Sequence, residues 1–241
     1  MRGYLSRLAG DLRRDAPEPT RGFGDALRAG PSVPVIAEIK RASPSEGGIA
    51  PGADVGVAAR RYAEGGAAAM SVLVAERDFS GSLEDLRTAR GAAGLPALAK
   101  EFTLFPEQVA AQRLAGADAI LVLLALVSDA EAARLLQTAE LLGMDALVEA
   151  HTAGEVERAL ALEPAIVGVN ARDLESLQVD RDRQLELLAT LPPTVTRVAE
   201  SGIASRADVE AARDAGADAV LVGTSLMRRP ELMGDLAGVP R

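Results

Sequence analysis

The chain has 241 residues, with 26 Lys+Arg against 35 Asp+Glu and a net charge of −9. That length suits one large domain or two small ones, and 48% hydrophobic residues supply ample apolar surface for a core, which excludes disorder throughout. The acidic balance and the 2% aromatic content argue against a nucleic-acid partner. With no cysteine and one histidine, thiolate nucleophiles, zinc–thiolate centres and His-rich metal sites are excluded, so any chemistry must run on Lys, Glu, Asp, Asn, Ser, Arg and backbone groups.

In chain order, Tyr4–Arg13 looks like an extra helix and Asp15–Thr20 like a short connector. The first residues lack the apolar core of a signal peptide, and no segment approaches an apolar membrane span. A cytoplasmic protein with no membrane partner is therefore expected. Eight short apolar runs then read as buried parallel strands: Val33–Ile39, Ala69–Val74, Ala97–Lys100, Ala119–Leu124, Ala146–Glu149, Ile166–Asn170, Thr196–Glu200 and Ala219–Val222. Amphipathic stretches of helical period alternate with them, at Asp54–Glu64, Leu83–Ala93, Pro106–Ala115, Asp129–Leu142, Ala153–Leu162, Arg181–Ala189 and Ser205–Ala215, with an eighth helix expected at Ser225–Leu236. Ser82, Ser128 (with Glu131) and Ser205 (with Asp208) stand where helix N-caps belong. Variants of one phrase begin at Gly65, Ala115 and Ala215, each a helix end, a glycine cap and the start of a buried strand. Their separations are multiples of a unit of about 25 residues. The pattern predicts an α/β fold, a (β/α)8 TIM barrel with an extra N-terminal helix, ahead of a doubly wound open sheet. A single domain over 1–241 is expected, with a helical extension at 1–32 and the barrel at 33–241.

In a parallel barrel, function sits at the C-terminal strand ends. Here those ends are polar: Glu38 and Lys40 at the first strand, Lys100 at the third, Glu149 at the fifth, Asn170 at the sixth and Glu200 at the seventh. So many charges in one cavity must pair, and their proton affinities must be coupled, which suits general acid–base chemistry. Ser201-Gly202 after the seventh strand and Gly223-Thr224-Ser225 after the eighth would let backbone N–H groups approach a phosphate, with a helix N-terminus behind them. Arg41–Gly48 reads as a mobile active-site loop. His151, two residues beyond Glu149, reads as a bystander.

These residues resemble the indole-3-glycerol-phosphate synthase family. Its signature is matched by Ile36-Ala37-Glu38-Ile39-Lys40-Arg41-Ala42-Ser43-Pro44-Ser45, followed in order by Phe79-Ser80-Gly81-Ser82, Lys100-Glu101-Phe102, Leu147-Val148-Glu149-Ala150-His151, Gly168-Val169-Asn170-Ala171-Arg172, Ala199-Glu200-Ser201-Gly202-Ile203 and Leu221-Val222-Gly223-Thr224-Ser225. The resemblance implies a TIM barrel with no metal and no organic cofactor. It implies a phosphorylated small-molecule substrate, 1-(2-carboxyphenylamino)-1-deoxyribulose 5-phosphate, closed to indole-3-glycerol phosphate in tryptophan biosynthesis. Lys100 would be the acid that protonates the ketone, and Glu149 a carboxylate acting as acid or base in later steps. Lys40, with Glu38 beside it, would bind substrate and help the hydroxyl leave, while Asn170 and Glu200 would orient it. Ser201, Gly202, Gly223 and Thr224 would hold the phosphate, Arg172 and Ser43 would contact substrate anions, and Phe102 and Pro44 would pack near the aromatic ring. A monomer or weak homo-oligomer is expected.

The chain departs from the family pattern after Lys100, where Phe105 stands in place of an acid and Glu107 in place of a tyrosine. The alternatives are a paralogue in another indole-forming pathway and a phosphate-sugar-binding barrel without turnover. A phosphoribosylanthranilate isomerase is a poorer match, because that family typically uses a cysteine base.

Overall fold

The computed structural model describes residues 18–241, so the helix expected at Tyr4–Arg13 and the start of the connector lie outside the described residues. Parallel strands β1 (Val35–Ile39), β2 (Ala69–Leu73), β3 (Ala97–Lys100), β4 (Ala119–Leu123), β5 (Asp145–Ala150), β6 (Ile166–Asn170), β7 (Thr196–Glu200) and β8 (Ala219–Val222) close into a barrel in sequence order. Strand β1 seals the ring, pairing with β8 at Val35–Val220 and with β2 at Glu38–Ser71. The helices after each strand pack outside it: α1 (Val55–Glu64), α2 (Leu83–Ala93), α3 (Pro106–Leu114), α4 (Asp129–Leu141), α5 (Ala153–Ala161), α6 (Arg181–Thr190), α7 (Arg206–Asp214) and α8 (Thr224–Arg228). This is a TIM barrel. Ser82, Ser128 and Ser205 each accept the backbone N–H three residues on, as N-caps do.

Alternation along the strands sorts side chains to two sides. Outward residues such as Val35, Val72, Val122, Val148 and Val220 join the helices in one core, while inward residues Ile36, Leu98, Leu121, Leu147, Ile166 and Val198 fill the barrel. The lower end is stoppered by a helix at Phe23–Arg28, whose Phe23 and Leu27 are fully buried among those inward residues. Gly24 N–H donates to Asp145 Oδ2 at 2.8 Å, and Arg21 N–H to Asp118 Oδ1 at 2.9 Å.

The repeated phrase has a shared physical purpose in two of its copies. Asp118 Oδ2 accepts the N–H of Ala97 at 2.8 Å, and Asp218 Oδ2 accepts the N–H of Arg197 at 2.9 Å. Each aspartate thus ties the foot of its own strand to that of its neighbour. Arg90 and Arg197 neutralise the two carboxylates.

The structure corrects the expected eighth helix, Ser225–Leu236. It breaks into α8, a 3₁₀ turn at Pro230–Leu232 and a short helix at Met233–Ala237. Pro230 brings no N–H for the helix ladder and disfavours helical geometry at Arg229, whose φ of −138° and ψ of 74° leave the α region. Helices Phe23–Arg28 and Glu76–Phe79, and a two-residue antiparallel pairing of Ala42–Ser43 with Gly47–Gly48, add to the elements that the sequence pattern predicts. No helix among the described residues is long and apolar enough to cross a membrane.

Candidate active site

The inward rows turn from apolar to charged as they rise. Leu98 is followed by Lys100, Leu147 by Glu149, Val198 by Glu200 and Ile36 by Glu38, each two residues higher on the same face. Register sets them side by side: Glu149 opposite Gly168, and Asn170 opposite Glu200. Above this layer lies a cavity of about 630 Å³, whose walls include all fourteen candidate site residues, from Glu38 to Thr224. His151 is not among them.

Lys100 is the hub. Its Nζ lies 2.8 Å from Glu149 Oε2 and 2.5 Å from Glu200 Oε2, so one ammonium serves two buried carboxylates. Asn170 Nδ2 donates to Glu149 Oε1 at 2.9 Å, and Arg172 N–H donates to Asn170 Oδ1 at 2.9 Å. Lys40 Nζ pairs separately with Glu38 Oε1 at 2.8 Å, and Ser71 Oγ donates to Glu38 Oε2 at 3.4 Å.

These unequal partners separate the two carboxylates. Burial opposes ionisation of Glu149, but Lys100 and His151 outweigh it and hold this carboxyl well below the usual range. Glu200 has less support, because its Oε1 is buried without a hydrogen-bond partner. Burial, then repulsion from Glu149, pushes Glu200 up to about 8, with Lys100 only partly offsetting them. Burial also works against the Lys100 ammonium, yet the charges of Glu149, Glu200 and Glu38 hold it above the ordinary lysine value. The lysine is therefore held charged and Glu149 ionised, and Glu200 is the carboxyl of the cluster that takes up a proton most readily.

Two glycines make room for this layer. A Cβ at Gly168 would overlap Glu200 Oε1, and one at Gly223 would overlap Glu38 Oε1 and approach Lys40 Nζ to 3.1 Å. Sequence alone points to Gly223 as a phosphate contact and gives no reason to single out Gly168. Nor does it place His151 in the cluster, whereas His151 Nε2 lies 3.2 Å from Glu149 Oε1.

At the other end of the cavity, Ser201 and Gly202 both adopt left-handed backbone, with φ of 68° and 75°. Gly223 precedes α8, whose first N–H groups have no acceptor within the helix. Ser225 Oγ donates to Ile203 O at 2.8 Å, joining the two loops. The loop after β1 is tethered at both ends, by Arg41 to Asp85 at 2.6 Å and by Glu46 to Arg228 at 2.6 Å. Apolar walls from Phe79, Leu121, Leu123 and Leu174 complete the pocket, with Phe79 and Phe102 ring centroids 6.0 Å apart. Phe105, in the stretch that departs from the family pattern, points outward and is 60% exposed. The arrangement offers an acid–base cluster, an apolar slot for a planar ring and an anion-binding end.

The indole-3-glycerol phosphate synthase family profile matches residues 5–237. A protein of that name from Micrococcus luteus is 48% identical over 227 residues, covering 92% of this chain and 84% of the relative. Another of that name, from Mycobacteroides abscessus, is 45% identical over 222 residues, covering 92% and 81%. Among solved structures, a 3-hexulose-6-phosphate synthase superposes with a TM-score of 0.62 at 16% identity, over 86% of this chain and 95% of that one, a likeness of fold alone.

Proposed function

The chain belongs to the indole-3-glycerol phosphate synthase family, and from that premise we propose that this site closes 1-(2-carboxyphenylamino)-1-deoxyribulose 5-phosphate to indole-3-glycerol phosphate, carbon dioxide and water. One observation carries the assignment of roles: the Lys100 ammonium, held between Glu149 and Glu200, faces a cavity with an apolar slot and an anion-binding end. A ring carbon is a weak nucleophile, so attack on the ketone needs an acid poised at the carbonyl oxygen. Lys100 supplies that proton, and Glu149 and Glu200 fix where the ammonium points. The charged site then favours loss of carbon dioxide, which restores the ring. Lys40 protonates the departing hydroxyl, with Glu38 holding it in place, and Glu149 removes the hydrogen from the carbon beside nitrogen. Asn170 orients Glu149.

Ser201, Gly202, Gly223 and Thr224 hold the phosphate through backbone N–H groups. Arg172 and Ser43 meet the remaining anionic groups, while Phe102 and Pro44 flank the ring. No cofactor takes part, residues 33–241 act as one barrel domain after an extension at 1–32, and the protein works in the cytoplasm as a monomer or weak homo-oligomer.

The test is direct, because a chain with no tryptophan leaves indole fluorescence clear of background. Mixing protein and substrate should raise that signal. Lys100→Ala should lower kcat by a factor on the order of 10³ while substrate still quenches its own anthranilate fluorescence on binding. Near-normal turnover by Lys100→Ala would refute the role given to Lys100.

A further inference from the structure

If the site runs the proposed ring closure, on which the inference below depends, each turnover consumes a proton. Ring closure places one proton on the ketone oxygen. The bonding pair left by carbon dioxide restores the ring without any proton. Departure of the hydroxyl as water takes a second proton, and loss of hydrogen from the carbon beside nitrogen returns one. Lys100 and Lys40 each give a proton and Glu149 takes one. Lys40, on the cavity wall, regains its proton from solvent there. Lys100 must be recharged before Glu149 acts as base, and the proton that Glu149 then collects must itself pass out to solvent.

The single histidine of the chain stands behind the cluster. His151 is 4% exposed and lies outside the cavity wall, with Nε2 3.2 Å from Glu149 Oε1 and Nδ1 3.4 Å from Glu155 Oε2. Neither ring nitrogen makes an aligned hydrogen bond, so no hydrogen bond has to break for the ring to turn. Glu155 is anchored, accepting from His151 N–H at 2.6 Å and donating its own N–H to Thr152 Oγ1 at 3.2 Å. Its side chain reaches the surface, 16% exposed. Glu149 turns its other oxygen to Lys100. Close contacts thus run unbroken from solvent through Glu155, His151 and Glu149 to Lys100.

We propose that Glu155 and His151 form a proton relay that recharges Lys100 through Glu149. The titratable groups facing His151 are Glu149 from β5, Glu155 from α5 and Glu200 from β7; against the cost of burial they keep the imidazolium favoured above the ordinary histidine range. Once Lys100 has given up its proton, the charge that kept Glu149 acidic is gone. Glu149 then takes the Nε2 proton of His151 on Oε1, and rotation of the carboxyl delivers it to the Lys100 amine. A half-turn of the neutral imidazole presents its bare nitrogen to Glu155, which passes on a proton from water.

One histidine makes the first test unambiguous in untagged protein. Its ring signals, followed by nuclear magnetic resonance, should titrate above the ordinary histidine pKa, and the value should fall in Glu149→Gln and in Glu155→Gln. An ordinary or lowered value, unmoved by either substitution, overturns the relay whether or not the protein turns substrate over. The second test is kinetic and uses Glu155→Gln, which leaves the buried layer intact. Its kcat should fall about tenfold with KM little changed, and imidazole buffer should restore kcat, a response that a purely structural role does not give. An unchanged kcat, or a loss that imidazole does not restore, overturns the relay. A parent protein that forms no indole sinks the reaction instead and leaves the relay to be judged by the titration.

Discussion

Replacing Glu200 with glutamine should flatten the dependence of stability on pH. Glu200 is 1% exposed, and burial together with the charge of Glu149 raises it from 4.5 to about 8. A folded pKa above the unfolded one means that its stabilising contribution is complete below about pH 4.5 and is lost as pH rises through about 8. The loss runs at about 1.4 kcal/mol per pH unit and reaches about 5 kcal/mol above the upper value. Glutamine keeps the shape of the protonated acid and cannot ionise. Between pH 6 and pH 8 the stability of Glu200→Gln relative to the parent should therefore rise by about 2 kcal/mol. The raised His151 acts in the same direction and is present in both proteins, so only the smaller part of its shift that Glu200 causes enters the comparison. Urea unfolding at pH 6, 7 and 8 measures the difference, followed by circular dichroism because there is no tryptophan. A constant gap between variant and parent, or one that narrows as pH rises, would refute the assignment of the proton to Glu200.

Gly223→Ala places a methyl group in the space held by Glu38 Oε1. The fold should lose about 1–3 kcal/mol, with a larger proportional fall in kcat than in urea midpoint because the Glu38–Lys40 pair is displaced; unchanged turnover counts against that pair. Asp118→Ala, at the opposite end of the barrel, strands the N–H groups of Ala97 and Arg21 and leaves the buried Arg90 guanidinium with the exposed Glu18 as its remaining carboxylate. It should cost about 3–5 kcal/mol in urea unfolding while protein kept cold retains the parent kcat.

The barrel was legible because a strand buried on both faces must be apolar along its length, as Ala119–Leu123 is, and eight such runs alternate with capped amphipathic helices. Polar residues at the ends of those runs could then be projected onto one rim. What the sequence concealed was short or three-dimensional. The six-residue helix at Phe23–Arg28 covers too few turns for a period to emerge. The break at Pro230 was written in the sequence, yet apolar spacing on both sides of it suggested a continuous helix. Gly168 looks like an ordinary strand glycine until Glu200 is seen to occupy the space of its missing side chain. His151 carries no local sign of its contact with Glu149, because that contact depends on how the chain turns between β5 and α5.

With Phe23 and Leu27 closing the lower end, the cavity among the described residues has its doorway at the upper rim. Everything that enters or leaves must cross the same rim, which the loop carrying Glu46, tied to Arg228, partly spans. In the ring closure proposed above, carbon dioxide and water would form beneath the remainder of the bound molecule, whose phosphate end is proposed to sit at Gly202 and Thr224. The small products must slip past the large one or wait for it. Traffic through that doorway, and not the acid–base layer alone, then bears on how quickly the site becomes free for the next substrate.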